Sequence, residues 1–295
     1  MSALAALLEG FRHVQITRYT HMAATTIILY DHFLTFDGEV EHVWKARWSA
    51  GKVMFIVNRY YTLASVVFNN YGFFGRNFTD GFCKIFLTWQ GWTGLVACIL
   101  AEIILQMRVY AMYSLNKTVL VVLVTTFFAS TGVAAWVMQS VLSKIVPKAI
   151  HLPDGTSFCM PIGILDHFYM FWIPMLVFEC LLCGLAIARA VSTFRFGRGG
   201  ASNWGSARRL IIVLFRDSVA YFLVICATYL TCLLTWALAP VTLLEVPVTF
   251  SVAMSCVLAN RIILNVRELG AEPVLSQHSQ AAQHIRWHSS GNPIL

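Results

Sequence analysis

Residues Cys83–Tyr113 read CKIFLTWQGWTGLVACILAEIILQMRVYAMY, and this stretch decides the fold. From Ile85 to Met107 the run is apolar apart from a single charge, Glu102. As a helix rising about 1.5 Å per residue it crosses a hydrocarbon core of roughly 30 Å, with every backbone polar group bonded inside the helix. Cys83 stands at its entrance and Arg108, followed by Tyr110, at its exit. The 25-residue spacing puts the thiol at one membrane face and the guanidinium at the other.

The rest of the chain follows the same pattern. Of 295 residues, 58% are hydrophobic and 12% charged, about half the charged share of a soluble domain. Such a composition cannot supply a soluble protein's polar surface. The net charge of +7 does not indicate nucleic acid, because the basic residues lie at the ends of apolar runs and not in one patch. Seven runs of membrane length are expected: 17–36, 50–71, 82–107, 118–139, 162–191, 210–239 and 244–265. Lys and Arg between and beyond these runs number thirteen on one side and six on the other. The positive-inside rule then places the N-terminus outside and the C-terminus in the cytoplasm. The expected fold is an all-α, polytopic seven-helix membrane protein. It has a short extracellular N-terminus (1–16), one transmembrane domain (17–265) and a short cytoplasmic tail (266–295). The first helix is expected to act as an uncleaved signal, because charged region, apolar region and cleavage site do not occur in signal-peptide order. The plasma membrane is the favoured location, with an endomembrane the alternative.

Most of the eight cysteines lie inside apolar runs, where a thiol packs as a small hydrophobe. Cys83 and Cys159 fall at membrane edges, on the side expected to be exterior. A bond between them would tie the long outer loop over the third helix. Cys180 and Cys183 form a CxxC pair within a helix, with no second pair or histidine pattern beside it. His284 and His288 lie in a polar tail. Neither set gives a metal site, and the reading carries no catalytic residues, cofactor or metal. Asn77-Phe78-Thr79 is a glycosylation sequon close to the membrane.

Ionisable residues inside membrane helices face the bundle interior and have partners. Those here form a candidate network of Asp31, Arg59, Glu102, Arg108, Arg216 and Asp217, with Glu179 nearer mid-membrane. Glu102 and Arg108 are about 9 Å apart along the axis and about 120° around it, so each needs a partner on another helix. The proposed pairings are Arg59 with Asp31 or Glu102, and Arg108 with Asp217 or the Arg216-Asp217 step. The network is either a fixed clasp or a switch.

The run from Tyr30-Asp31 through Glu39, Glu41, Trp44-Lys45 and Arg47-Trp48 to Asn58-Arg59-Tyr60 closely resembles the signature of a fungal membrane-protein family, domain of unknown function 6533, common in basidiomycetes. Leu214–Asp217 and Asn260–Asn265 also look like that family. The resemblance implies a seven-helix fungal membrane protein and supplies no activity. The Cys83 to Arg108 arrangement resembles the third helix of rhodopsin-like receptors. However, Met107 replaces the acid those receptors carry before the arginine, and Asn260-Arg261 replaces their Asn-Pro. The chain therefore reads as a receptor-like signal transducer of unknown ligand. Its partners would be the bilayer and, through the basic loop 192–209, a cytoplasmic G protein. The alternative is a transporter or a structural, lipid-interacting protein. Retinal is excluded because the last helix carries no lysine.

Overall fold

The computed structural model describes the backbone of residues 3–151, 157–162, 168–196 and 205–289. Side chains are described for residues 9–151, 157–162, 168–193, 218–240 and 242–268. Nearly all of this is helix: α1 (Ala3–Leu34), a short α2 (Phe36–Glu39) continuing into a wider turn over Val40–Trp44, α3 (Ala50–Phe74), α4 (Asp80–Met112), α5 (Lys117–Leu142), α6 (Trp172–Phe196), α7 (Gly205–Leu238) and α8 (Glu245–Ser289). Five spans are long and apolar enough to cross a membrane: Asp80–Met112, Lys117–Leu142, Phe168–Thr193, Ser218–Leu238 and Glu245–Glu268. The protein is an integral, multi-pass membrane protein. Helices α1 and α3 are of comparable length but more polar, and they bury Arg18, His21 and Asp31, and Lys52 and Arg59, respectively.

The helix starts are encoded locally. Ser49, Thr79 and Asn116 each cap a helix by accepting a backbone N–H with the side-chain oxygen. Between α4 and α5 the chain reverses through Ser114 and Leu115, which both adopt positive φ. The expected outer loop holds an antiparallel hairpin, β1 (Val146–His151) and β2 (Ser157–Ile162), with Ala149 opposite Cys159, and the hairpin takes in Ile162, the first residue of the expected fifth span. Prolines 147 and 161 face each other in it, so neither deprives a longer sheet of a ladder bond. The helix proper starts only at Trp172.

Helix α4 is central, packing on α3, α5, α6 and α8 and on both strands. Its Leu95, Ile104, Leu105 and Val109 meet Leu123 and Phe127 of α5, Met175 and Phe178 of α6, and Phe222 and Ile225 of α7. The outer faces are equally apolar: Val121, Phe128 and Trp136 of α5 are 61%, 68% and 71% exposed. In water such a surface would drive aggregation; here it is the face that meets lipid.

Candidate ligand cavity and ionic clasp

The two ends of the bundle differ in chemistry. At one end Cys83 and Cys159 are disulfide-bonded, tying β2 to the first turn of α4. Asp80 Oδ1 accepts from the Ala149 N–H at 2.8 Å, and Ser157 Oγ accepts from the Phe78 N–H at 3.2 Å. Phe78, Phe82 and Phe86 stack successively beneath, with Phe73 edge-on to Phe86. The hairpin is therefore a fixed cap.

Below the cap lies a cavity of about 140 Å³ between α4, α6, α7 and α8. It arises from a mismatch of side-chain size. Gly91, Gly94, Ala97 and Cys98 recur at helical spacing along one face of α4, opposite Phe171, Trp172 and Trp236. A Cβ added at Gly94 would meet no atom within 4 Å. The indoles of Trp172 and Trp236 lie edge to face, 5.5 Å apart, and Phe168 packs 4.3 Å from Trp236. Trp236 is held by its Nε1–H, which donates to the Leu244 carbonyl at 2.9 Å. Beside it Glu245 Oε2 accepts from Gln90 Nε2 at 2.7 Å, joining α8 to α4. A smaller cavity of about 50 Å³ shares Gln90, Gly94 and Glu245 and adds His21, Thr62 and Asn69. The Gln90–Glu245 pair thus stands between two chambers.

At the other end lies an ionic clasp. Arg59 Nε and Glu39 Oε2 are 2.8 Å apart, with 2% and 0% of the side chains exposed. The Nε–H does not point at the oxygen, so this is a charge contact and not an aligned hydrogen bond. Alignment comes from the other groups. Glu39 Oε1 accepts from Tyr60 OH at 2.8 Å and Trp44 Nε1 at 3.0 Å, while Arg59 donates to Thr35 Oγ1 and the His32 carbonyl, both at 2.9 Å. Asp31 pairs at 2.6 Å with Arg261 of α8, whose side chain is 49% exposed. Arg267 of α8 donates to the His42 carbonyl and Ser49 Oγ, and Lys52 to the carbonyls of Trp44 and Ala46. Asn58 donates to Asn260 at 3.1 Å. The turn after α1 is thus laced to α3 and α8 by charge-assisted bonds, the strong kind.

These positions revise the pairings expected from sequence. Arg59 takes neither Asp31 nor Glu102; it takes Glu39, which a one-dimensional reading puts on a solvated turn. Asp31 takes Arg261. Glu102 is fully buried in α4, and among the described residues neither of its carboxylate oxygens has a hydrogen-bond partner; the same holds for Glu179 on α6. Arg108 Nε donates to Ser218 Oγ at 2.9 Å, anchoring α4 to α7. The side chains of Arg216 and Asp217, the basic loop from 194 onward, and His284 and His288 lie outside the described residues. Of the signature residues, Asp31, Glu39, Trp44, Asn58, Arg59 and Tyr60 converge on the clasp, while Tyr30, Glu41 and Lys45 are exposed. Cys180 lies 3.7 Å from Cys226 of α7, while Cys183 packs in the core. Among the described residues no cluster of three or more His, Cys, Asp or Glu could hold a metal ion. Three cavity residues carry little signal in the sequence: Trp236 and Glu245 sit at helix ends, where polar and aromatic side chains are common, and Gln90 is an uncharged amide about three turns into α4.

A family model described as "Family of unknown function (DUF6533)" matches residues 19–64. That segment runs from α1 into α3 and contains Asp31, Glu39, Trp44, Asn58, Arg59 and Tyr60. No curated protein matches the chain.

Proposed function

We propose that this protein is a non-catalytic, receptor-like signal transducer with seven membrane-spanning helices, α1 and α3 being the two beyond the five apolar spans. Its N-terminus is outside and its C-terminus cytoplasmic. The observation that carries the reading is the double use of α8. Glu245, Val248, Val252 and Ser255 line the cavity, and Asn260, Arg261 and Arg267 hold the clasp. Glu245 and Arg261 are sixteen residues apart, about 24 Å along one helix. A ligand that shifts the cavity end of α8 carries Arg261 with it.

The two ion pairs then have different roles. Arg59–Glu39 is enclosed and multiply bonded, so it is the fixed part. Asp31–Arg261 is the part that can exchange, because a half-exposed guanidinium can be solvated when the contact opens. A two-state element biased from a distant site is what a transducer requires. The excess of Lys and Arg on the clasp side supports the orientation. It puts the disulfide on the outside and the basic segment 192–209 where an acidic surface of a G protein would meet it.

The test is guanine-nucleotide exchange on a panel of G-protein α subunits, measured with the full chain in lipid nanodiscs. Acceleration that rises further in Arg261→Ala supports the reading. No acceleration on any subunit, together with solute uptake by proteoliposomes, would replace it with a transporter.

A further inference from the structure

We infer that the cavity beneath the hairpin binds a small apolar amine, with its ammonium against Glu245 and its hydrocarbon part among the rings of Trp172, Trp236 and Phe168. The inference deepens the receptor-like reading and rests on its use of the cavity as a ligand site.

The charge inventory comes first. Across the residues lining the two chambers, Glu245 is the one acidic side chain, His21 is the one other side chain of acid–base type besides the cysteines and tyrosine, and there is no Lys or Arg. An anion would meet this carboxylate with no cation to offset it, so the cavity selects against acids. The carboxylate is also half used. Oε2 accepts from Gln90, while Oε1 makes no hydrogen bond among the described residues, and the residue lines the cavity. A carboxylate in a weakly polar cavity with one amide donor lacks compensation, and a cationic donor is the group that supplies most of it.

The walls agree with that choice. The bond from Trp236 to the Leu244 carbonyl sets the indole beside Glu245, and Trp172 and Phe168 flank it. Aromatic faces next to a carboxylate suit an ammonium, because the ring quadrupole attracts the cation that the carboxylate neutralises. Size limits the rest of the molecule. A dry cavity of about 150 Å³ holds benzene, and this one is about 140 Å³ with a smaller chamber behind the Gln90–Glu245 pair. One ring or a short branched chain with one amino group fills it.

The test uses the purified full chain in nanodiscs and three probes of similar size: phenethylamine, the neutral phenethyl alcohol and the anionic phenylacetic acid. Binding is read as quenching of tryptophan emission and as a shift in the melting midpoint. The amine should bind at least about tenfold more tightly than the alcohol, and the acid least. Glu245→Gln, which keeps the shape and a hydrogen bond to Gln90, should remove the amine's advantage while leaving the alcohol unchanged. Gly94→Leu, which places a side chain in the open space, should abolish all three. Equal binding of the three probes, tightest binding of the acid, an amine preference that survives Glu245→Gln, or no binding at all would each overturn the inference. The receptor reading fails separately. Amine binding without nucleotide exchange leaves the site and removes the receptor, and exchange without amine binding does the reverse.

Discussion

Removing the Glu39 carboxylate while leaving Arg59 in place strands a buried guanidinium without its counter-charge. Both side chains are essentially inaccessible to solvent. In Glu39→Ala the guanidinium keeps Thr35 and the His32 carbonyl but loses its counter-charge, and Tyr60 OH and Trp44 Nε1 lose their acceptor. Breaking a buried pair on one side costs about 3–5 kcal/mol, mostly the penalty of the charge left behind. Arg59→Ala should cost a similar amount by stranding the carboxylate. The double variant strands neither charge, so it should be more stable than the sum of the single losses by about 2 kcal/mol or more. The comparison pair is Asp31–Arg261. With the arginine half exposed, Arg261→Ala should cost only about 1 kcal/mol. Unfolding free energies from SDS titration in mixed micelles give all four values. If the Glu39/Arg59 double variant equals the sum of the singles within about 0.5 kcal/mol, the clasp is not an energetic unit and the reasoning fails.

The disulfide closes a loop with a sequence separation of 76, for which chain entropy sets a ceiling of about 4.5 kcal/mol. Cys83→Ser should lower the melting midpoint, and peptide mapping of the non-reduced native chain should recover the Cys83–Cys159 cross-link. At Gly72 an added Cβ would lie 2.0 Å from the Phe86 ring, so Gly72→Ala should lose about 1–3 kcal/mol, whereas Gly94→Ala should leave stability unchanged; thermal melts of the two variants decide it. For topology, a membrane-impermeant maleimide on intact cells should label Ser143→Cys near the disulfide end and not Ser114→Cys in the turn after α4. The opposite pattern would invert the proposed orientation.

Much of the fold is legible in one dimension because lipid imposes a one-dimensional rule. A segment that satisfies its own backbone and is apolar over about twenty residues is a span, whatever its neighbours do. The bracketing of α4 by Cys83 and Arg108 and the edge position of Cys159 are of this kind, as is the burial of Asp31, Arg59 and Glu102. The hairpin has no such signature, because Val146–His151 and Ser157–Ile162 are six-residue pieces whose residue types do not alternate apolar with polar even though their burial does.

Partner choice and empty space are set by three-dimensional packing. Glu39 sits in a polar turn that reads as solvated, and only the fold of Phe36–Trp44 back under α3 brings its carboxylate to Arg59. Arg261 finds Asp31 across 230 residues, a pairing no spacing rule encodes. The small residues on α4 predict close approach of another helix, but bulky rings on α6 and α7 hold the helices apart there and leave a chamber. The sequence alone determined the five apolar spans from Asp80 onward, because entry into lipid is a property of each segment. The tertiary structure decided which charges meet and where a cavity remains, because both depend on which helix faces pack together.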